Sequence, residues 1–418
     1  MSPRLRRIVA VITLLLAVVL VAVLTLRALG VPIALGPGTA TPSPTASASA
    51  EPSSAGSPSV DEVLAAIESE TADIRNLPPA DIGPPEFVTR DELERRLTEQ
   101  FATDYPPEQQ AADNALYHAL GILAPDQDYA ALQLQLLASQ VIGYYDDATQ
   151  SMVIVSDVGL TPEAAVTYSH EYTHALQDAA FGMDSLDLDN VDDNDASYAA
   201  LALVEGDATT TMVLWAIQNL TPEEILDISQ TPVPDTSGVP AWMVSQLEFP
   251  YLAGSEFTSQ LYARGDFSAV DEAWADPPVS TEQILHFRAY LDNEEPIPVP
   301  AGVESSSDYE ILSFSTFGEA MTSIWLAALG VDQGDADEAA AGWGGDAIVL
   351  VQATGSDDIA VALFTEWDTP LDATQFGSAY EDALPRTNLF GRINTTSDSL
   401  TIVIQGTSQE LVDQLAGE

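Results

Sequence analysis

The chain contains no cysteine. Disulfides, thiol nucleophiles and thiolate metal sites are therefore excluded, while the compartment stays open, because an exported protein can simply avoid thiols. Lysine is absent too: all 12 basic residues are arginine, set against 65 acids. Four of those arginines (Arg4, Arg6, Arg7, Arg27) fall in the first 50 residues, which hold no acid. The remaining chain sets 8 arginines against all 65 acids, a net charge near −57. Such a surface repels nucleic acid and anionic lipid, so neither is expected as a partner. It suits solubility in salty surroundings or many bound cations. Histidine is scarce, with four residues: His118, His170, His174 and His286.

What is present is a chain of 418 residues, 46% hydrophobic, enough for two or three domains with real cores. Ile8 to Leu26 is an unbroken uncharged run of 19 residues, long enough to cross a bilayer. Arg4, Arg6 and Arg7 precede it and favour a cytoplasmic N-terminus. A cleaved signal peptide would have a shorter apolar core and a small-residue site close behind it; "ASASA" at Ala46–Ala50 lies too far downstream. Residues 1–30 are thus expected to form a single-pass signal-anchor. Residues 31–59, rich in Pro, Ser, Thr and Ala, form a flexible stalk, and the folded part lies outside the cytoplasmic membrane.

The folded part reads as α+β. Residues 60–141 show helical apolar spacing with Ser or Thr before first turns. "IGYYDDATQSMVIVSD" reads as two short strands around an Asp-rich turn. "TPEAAVTYSHEYTHALQDAAFG" opens with the N-cap Thr161 and Pro162 and closes at Gly182, a long helix. A very apolar helix follows, "ASYAALALVEGDATTTMVLWAI", and further helices run to about Leu291. Residues 142–305 would form one domain and residues 306–418 a C-terminal α+β lobe with an antiparallel sheet.

His170 and His174 are four apart, so they share one helix face and can turn both imidazoles to a single ion. Glu171 lies beside the first of them, placed to take a proton from water at that ion. This is the His-Glu-x-x-His arrangement of zinc peptidases, with on the order of 0.003 accidental matches expected in a chain of this composition. A catalytic zinc uses three protein ligands. Glu205, in the middle of an apolar helix, would be costly to bury unless paired or metal-bound; His118 and His286 are rival third ligands. Asp178, one turn past His174, is a candidate for orienting an imidazole. Asp184, Asp187, Asp189, Asp192, Asp193 and Asp195 offer oxygen ligands of the kind Ca²⁺ takes, but lack the order of a Ca²⁺ loop; a solvated acidic loop is the plainer reading.

"HEYTH" followed by Glu205 on a later helix resembles the gluzincins, the thermolysin-like clan of zinc metallopeptidases. More closely, "GYYDDATQSMVIV", "HEYTHALQD", "ALVEGDA", "FPYLAGSEF", "PPVSTEQILHF" and "AAAGWGGD" resemble uncharacterised membrane-anchored bacterial proteins of predicted peptidase type. The resemblance runs from Val60 to the C-terminus. It implies a mainly helical catalytic domain with a short edge sheet beside the active-site helix. It implies Zn²⁺ held by His170, His174 and Glu205, with Glu171 as general base and a polypeptide as substrate. Tyr251 or His286 would stabilise the oxyanion, and the strand pair before the helix would bind extended peptide. The pattern departs at Thr209, where an Asp is expected, so Asp207 would support a ligand instead. The competing expectation is a catalytically silent surface binding or scaffolding protein on the same fold.

Overall fold

A computed structural model of the chain describes residues 59–156, 160–188, 190–231, 235–304, 306–396 and 399–417. The expected signal-anchor and nearly all of the expected stalk lie outside these residues. The fold is mostly helical α+β, with one small mixed sheet and one five-stranded antiparallel sheet.

The N-terminal part contains α1 (Val60–Arg75), β1 (Glu86–Val88), α2 (Arg90–Asp104), α3 (Pro107–Ala119) and α4 (Tyr129–Gln140). Ser59 and Glu62 cap α1 reciprocally, satisfying donors that the first turn leaves free. The strands β2 (Gly143–Asp146) and β3 (Ser151–Val155) form the expected hairpin, its turn held by Asp146 accepting from Ala148 and Thr149. Where helices alone were expected, β1 adds a third strand parallel to β3. Three residues are too short for a legible alternation.

Next comes α5 (Pro162–Phe181), with Thr161 accepting from the Ala164 N–H and Gly182 closing the helix in a positive-φ conformation. It is followed by α6 (Asn194–Asn219), α7 (Pro222–Ser229), α8 (Ala241–Ala275), α9 (Thr281–Leu285) and α10 (Phe287–Asp292). By length and composition α6 could cross a membrane, yet it is buried in the protein core. α8 is two helices joined across a kink at Gly265–Asp266.

α6 and α8 share the largest helix–helix interface. They meet backbone to backbone: a Cβ on Gly206 would lie 2.1 Å from the Gly254 carbonyl oxygen, and one on Gly254 would lie 2.1 Å from that of Ala202. Glu205 and Tyr251 flank this crossing. Pro250 interrupts the α8 ladder just before Tyr251, because it has no N–H to give the Gln246 carbonyl. The Tyr198 hydroxyl from α6 donates to that carbonyl instead.

The C-terminal lobe contains β4 (Tyr309–Ser315), α11 (Gly318–Ala328), α12 (Gln333–Ala340), β5 (Trp343–Ala353), β6 (Ile359–Trp367), α13 (Pro370–Ala383), β7 (Phe390–Thr395), β8 (Leu400–Gly406) and α14 (Gln409–Leu415). The sheet order is β4-β5-β6-β8-β7, and every pairing is antiparallel. Its two faces are buried, one in the main core and the other under α14, so β5 and β6 are apolar almost throughout. The strands β4 and β7 had no sequence signal of their own, being half polar at the sheet margins.

Two buried acids fasten this lobe to the helices. Asp195, at the start of α6, accepts from the Thr281 N–H and hydroxyl, and the same hydroxyl accepts from the Ala320 N–H of α11. Asp346 accepts from the Phe317 and Gly318 N–H groups and from the Trp343 indole. Burial outweighs the Thr281 hydrogen bonds and pushes Asp195 up to about 8.

A Gly254→Ala change should force α6 and α8 apart and cost at least ~1–3 kcal/mol by the overpacking mechanism, read as a lowered denaturant midpoint. Because Asp195 binds its proton more tightly folded than unfolded, stability should fall as pH rises from about 4 to about 8. An Asp195→Asn change should flatten that slope in thermal unfolding scans across this window.

Candidate metal centre

The local sequence places the central side chains. The α5 positions from Ala164 to Gln177 are all buried, and the helix is packed by α1, α6 and β2. His170 and His174 are each 4% exposed, and Glu171 and Glu205 are fully buried. The Nε2 atoms of the two imidazoles lie 3.1 Å apart. Glu205 Oε2 stands 3.3 Å from His170 Nε2 and 3.4 Å from His174 Nε2. This is a buried group that could hold a metal ion.

The donor set fits zinc. Bonds of about 2.0–2.1 Å in a tetrahedral site leave ligand atoms roughly 3.3–3.4 Å apart, close to the three separations found. Two imidazole nitrogens at 3.1 Å also need a proton or a cation between them, since two lone pairs would repel.

Electrostatics around the group follow from burial and mutual charge. Burial pushes His170 below its usual range. Burial also disfavours a charged His174, but the Glu205 carboxylate outweighs it and the ring holds its proton more tightly than usual. Burial would raise Glu205, yet the His174 and His170 rings hold it low. For Glu171 burial wins: the His174 ring offsets it only in part, the Glu205 charge adds to it, and the carboxyl is pushed up to about 8. Both of its oxygens are buried without a hydrogen-bond partner.

A chain of contacts behind His174 fixes its tautomer. His174 Nδ1 lies 2.8 Å from Gln177 Oε1. The Gln177 amide nitrogen donates to the Val204 carbonyl and to Asp207 Oδ2, so its oxygen must accept from Nδ1–H. Nε2 is thereby the ring nitrogen that faces His170 and Glu205. Asp207 also accepts from the Trp274 indole and pairs with Arg75 at 2.7 Å. Arg75 is fully buried, reaches Asp271 as well, and stacks over Phe267 and Phe181.

The sequence-derived candidates are distributed as follows. His170, His174, Glu171 and Glu205 come together. Tyr251 joins them: its ring stacks near His170, with centroids 6.2 Å apart, and its buried hydroxyl lies beside Glu205. Burial and the Glu205 and Glu171 charges keep that hydroxyl protonated. Asp207 reaches the group through Gln177. Asp178 does not face an imidazole; it accepts from the Tyr145 hydroxyl at 3.2 Å. Gln177 occupies the place expected of Asp178, because position i+3 rather than i+4 meets the His174 Nδ1 edge.

His286 bonds Glu319 at 2.8 Å, and His118 lies 3.3 Å from the Gln127 carbonyl; neither belongs to the group. The acidic run expected to offer Ca²⁺ ligands is divided. Asp193 caps α6, Asp195 is tied to Thr281, and Asp184, Asp187 and Asp192 face solvent. Asp189 lies outside the described residues. Among the described residues the run forms no metal-capable group. Gln177 and Arg75 were missed in the sequence. The signal for Gln177 was its position one turn beyond a ligand; Arg75 offered only its rarity.

A cavity of about 620 Å³ opens on the centre, with Glu205 and Tyr251 in its wall. That lies within the roughly 300–1,000 Å³ of small-molecule and cofactor sites. Its other walls come from α3, α4, α6, α8 and the β4–β5 border of the C-terminal lobe.

A Gln177→Leu change should weaken zinc binding by about 10–100-fold, as losses of imidazole-orienting partners do, measured by competition with a chromophoric chelator. Asp178→Asn should leave affinity near that of the unaltered protein.

Residues 310–412 match a domain of unknown function (DUF8575), which covers the C-terminal lobe and assigns it no activity. No curated protein and no solved structure matches the chain.

Proposed function

We propose that the chain is a zinc-dependent peptidase of gluzincin type, held outside the cytoplasmic membrane by its N-terminal apolar run. The observation that carries this reading is the triangle of His170, His174 and Glu205 donor atoms with an unpartnered, buried Glu171 beside it. A divalent cation at these donors would supply a Lewis acid that lowers the pKa of water and polarises a carbonyl oxygen.

The chain's own groups would do the rest. Glu171 would accept the proton of the attacking water and pass it to the departing amine. The Tyr251 hydroxyl, kept protonated beside Glu205, would donate to the oxygen on which negative charge develops. Gln177 and Asp207 keep His174 in the tautomer that leaves Nε2 free to ligate. β2, the terminal strand of its sheet, lies beside α5, where an extended chain could pair. The run Ile8–Leu26 and the Pro/Ser-rich stretch after it support an anchored ectodomain.

Glu171→Gln should retain zinc, measured by metal analysis, and lower peptide hydrolysis by at least ~10²-fold. Chelation should abolish turnover and added Zn²⁺ restore it. Loss of the metal in the unaltered protein with undiminished hydrolysis would refute the reading.

A further inference from the structure

One wall of the cavity beside Glu205 and Tyr251 belongs to the C-terminal lobe. Leu312, Ser313, Phe314 and Ser315, four consecutive residues of β4, line it. Successive side chains of a strand point to opposite faces. The register shifts between Ile311 and Ser313, but Ser313, Phe314 and Ser315 beyond it are regularly paired, so a cavity that touches all three follows the border of the strand, not one face of it. β5 contributes Ile348 and Leu350, two residues apart and so on a single face. Ser315 pairs with Ile348 and Ser313 with Leu350, placing that face beside the border.

β4 is the terminal strand of its sheet and, among the described strands, is hydrogen-bonded to β5 alone. Its other border presents backbone donors and acceptors in the manner of any edge strand. The cavity wall is also charged with one sign. Its charged residues are Glu108, Asp113, Asp192 and Glu205, with no basic side chain among them. The rest of the lining mixes apolar side chains, Leu116, Leu201 and Leu247 among them, with uncharged polar ones such as Gln133 and Gln246.

We propose that β4 is a substrate-docking strand: an extended polypeptide of neutral or positive charge adds to its open border and is led along the cavity toward Glu205 and Tyr251. Backbone pairing gives affinity without demanding a sequence, and alternate apolar side chains enter the Leu116–Leu201–Leu247 lining. The acids disfavour an anionic chain. The proposal rests on the peptidase reading for the fate of the docked chain, but not for the docking itself.

The test uses the full chain with Glu171→Gln and zinc bound, and, as a second form without turnover, the unaltered chain stripped of metal. The probes are a fluorescein-labelled (Leu-Arg)₄ peptide and its (Leu-Glu)₄ counterpart. Anisotropy should show (Leu-Arg)₄ bound at least about tenfold tighter, with the difference shrinking as salt is raised. Single N-methylation along the peptide should weaken binding at every second position, because alternate amides of a strand face its partner. Amide hydrogen exchange should slow in residues 312–315. Absence of binding in both forms, equal sensitivity at every N-methyl position, or protection confined to residues 143–146 would overturn the proposal. Cleavage of (Leu-Arg)₄ by the unaltered, zinc-loaded chain is read separately. Docking without cleavage removes the peptidase reading and leaves the strand; cleavage without protection at residues 312–315 does the reverse.

Discussion

The arrangement depends on two helices touching where neither has a side chain. With Cβ atoms at Gly206 and Gly254, the α6 and α8 backbones could not approach as they do. Each glycine costs helix stability in isolation, about 0.5–1 kcal/mol relative to alanine. Close approach offsets that cost by bringing Glu205, next to Gly206, and Tyr251, one turn before Gly254, over the α5 imidazoles. Larger residues at the crossing would set the helices roughly 8–10 Å apart between axes and draw the carboxylate away from the histidines.

The second constraint is the handling of charge in a core. Glu205, Asp207 and Arg75 are all fully buried, in a chain with few arginines to spare. A lone buried charge is expensive, and a pair breaks even only with good geometry and further hydrogen bonds. Asp207 meets that condition through Arg75, Trp274 and Gln177. Glu205 has the two imidazoles and the Tyr251 hydroxyl, and neither oxygen of Glu171 has a hydrogen bond of good geometry. Polar groups left this poorly satisfied sit where chemistry can use them, while the well-satisfied ones hold the frame.

Much of this was legible in the sequence because it is local. The caps of α5, the hairpin before it and the His-Glu-x-x-His spacing all follow from residues a few positions apart. Glu205 was legible for a different reason, an acid inside an apolar helix being costly without a partner. Gln177 was not, because choosing between positions i+3 and i+4 requires the ring orientation of His174. Asp195 read as part of a solvated acidic loop; its burial depends on Thr281, 86 residues away. The strands β4 and β7 lie at the margins of a sheet whose inner strands carried the apolar signal. Of the later pieces of the resemblance, "FPYLAGSEF" supplies Tyr251 and Gly254, while Thr281 of "PPVSTEQILHF" and Asp346 of "AAAGWGGD" fasten the lobe.

Tyr198 is both a wall of the cavity and the donor to the carbonyl that Pro250 leaves free. An occupant that pushes this ring aside also withdraws its hydroxyl from the Gln246 carbonyl of α8, in the turn that leads to Pro250 and Tyr251. The helix is then unclasped at its weakest rung. Filling the chamber and aiming the Tyr251 phenol are thereby geared to one another through a single side chain.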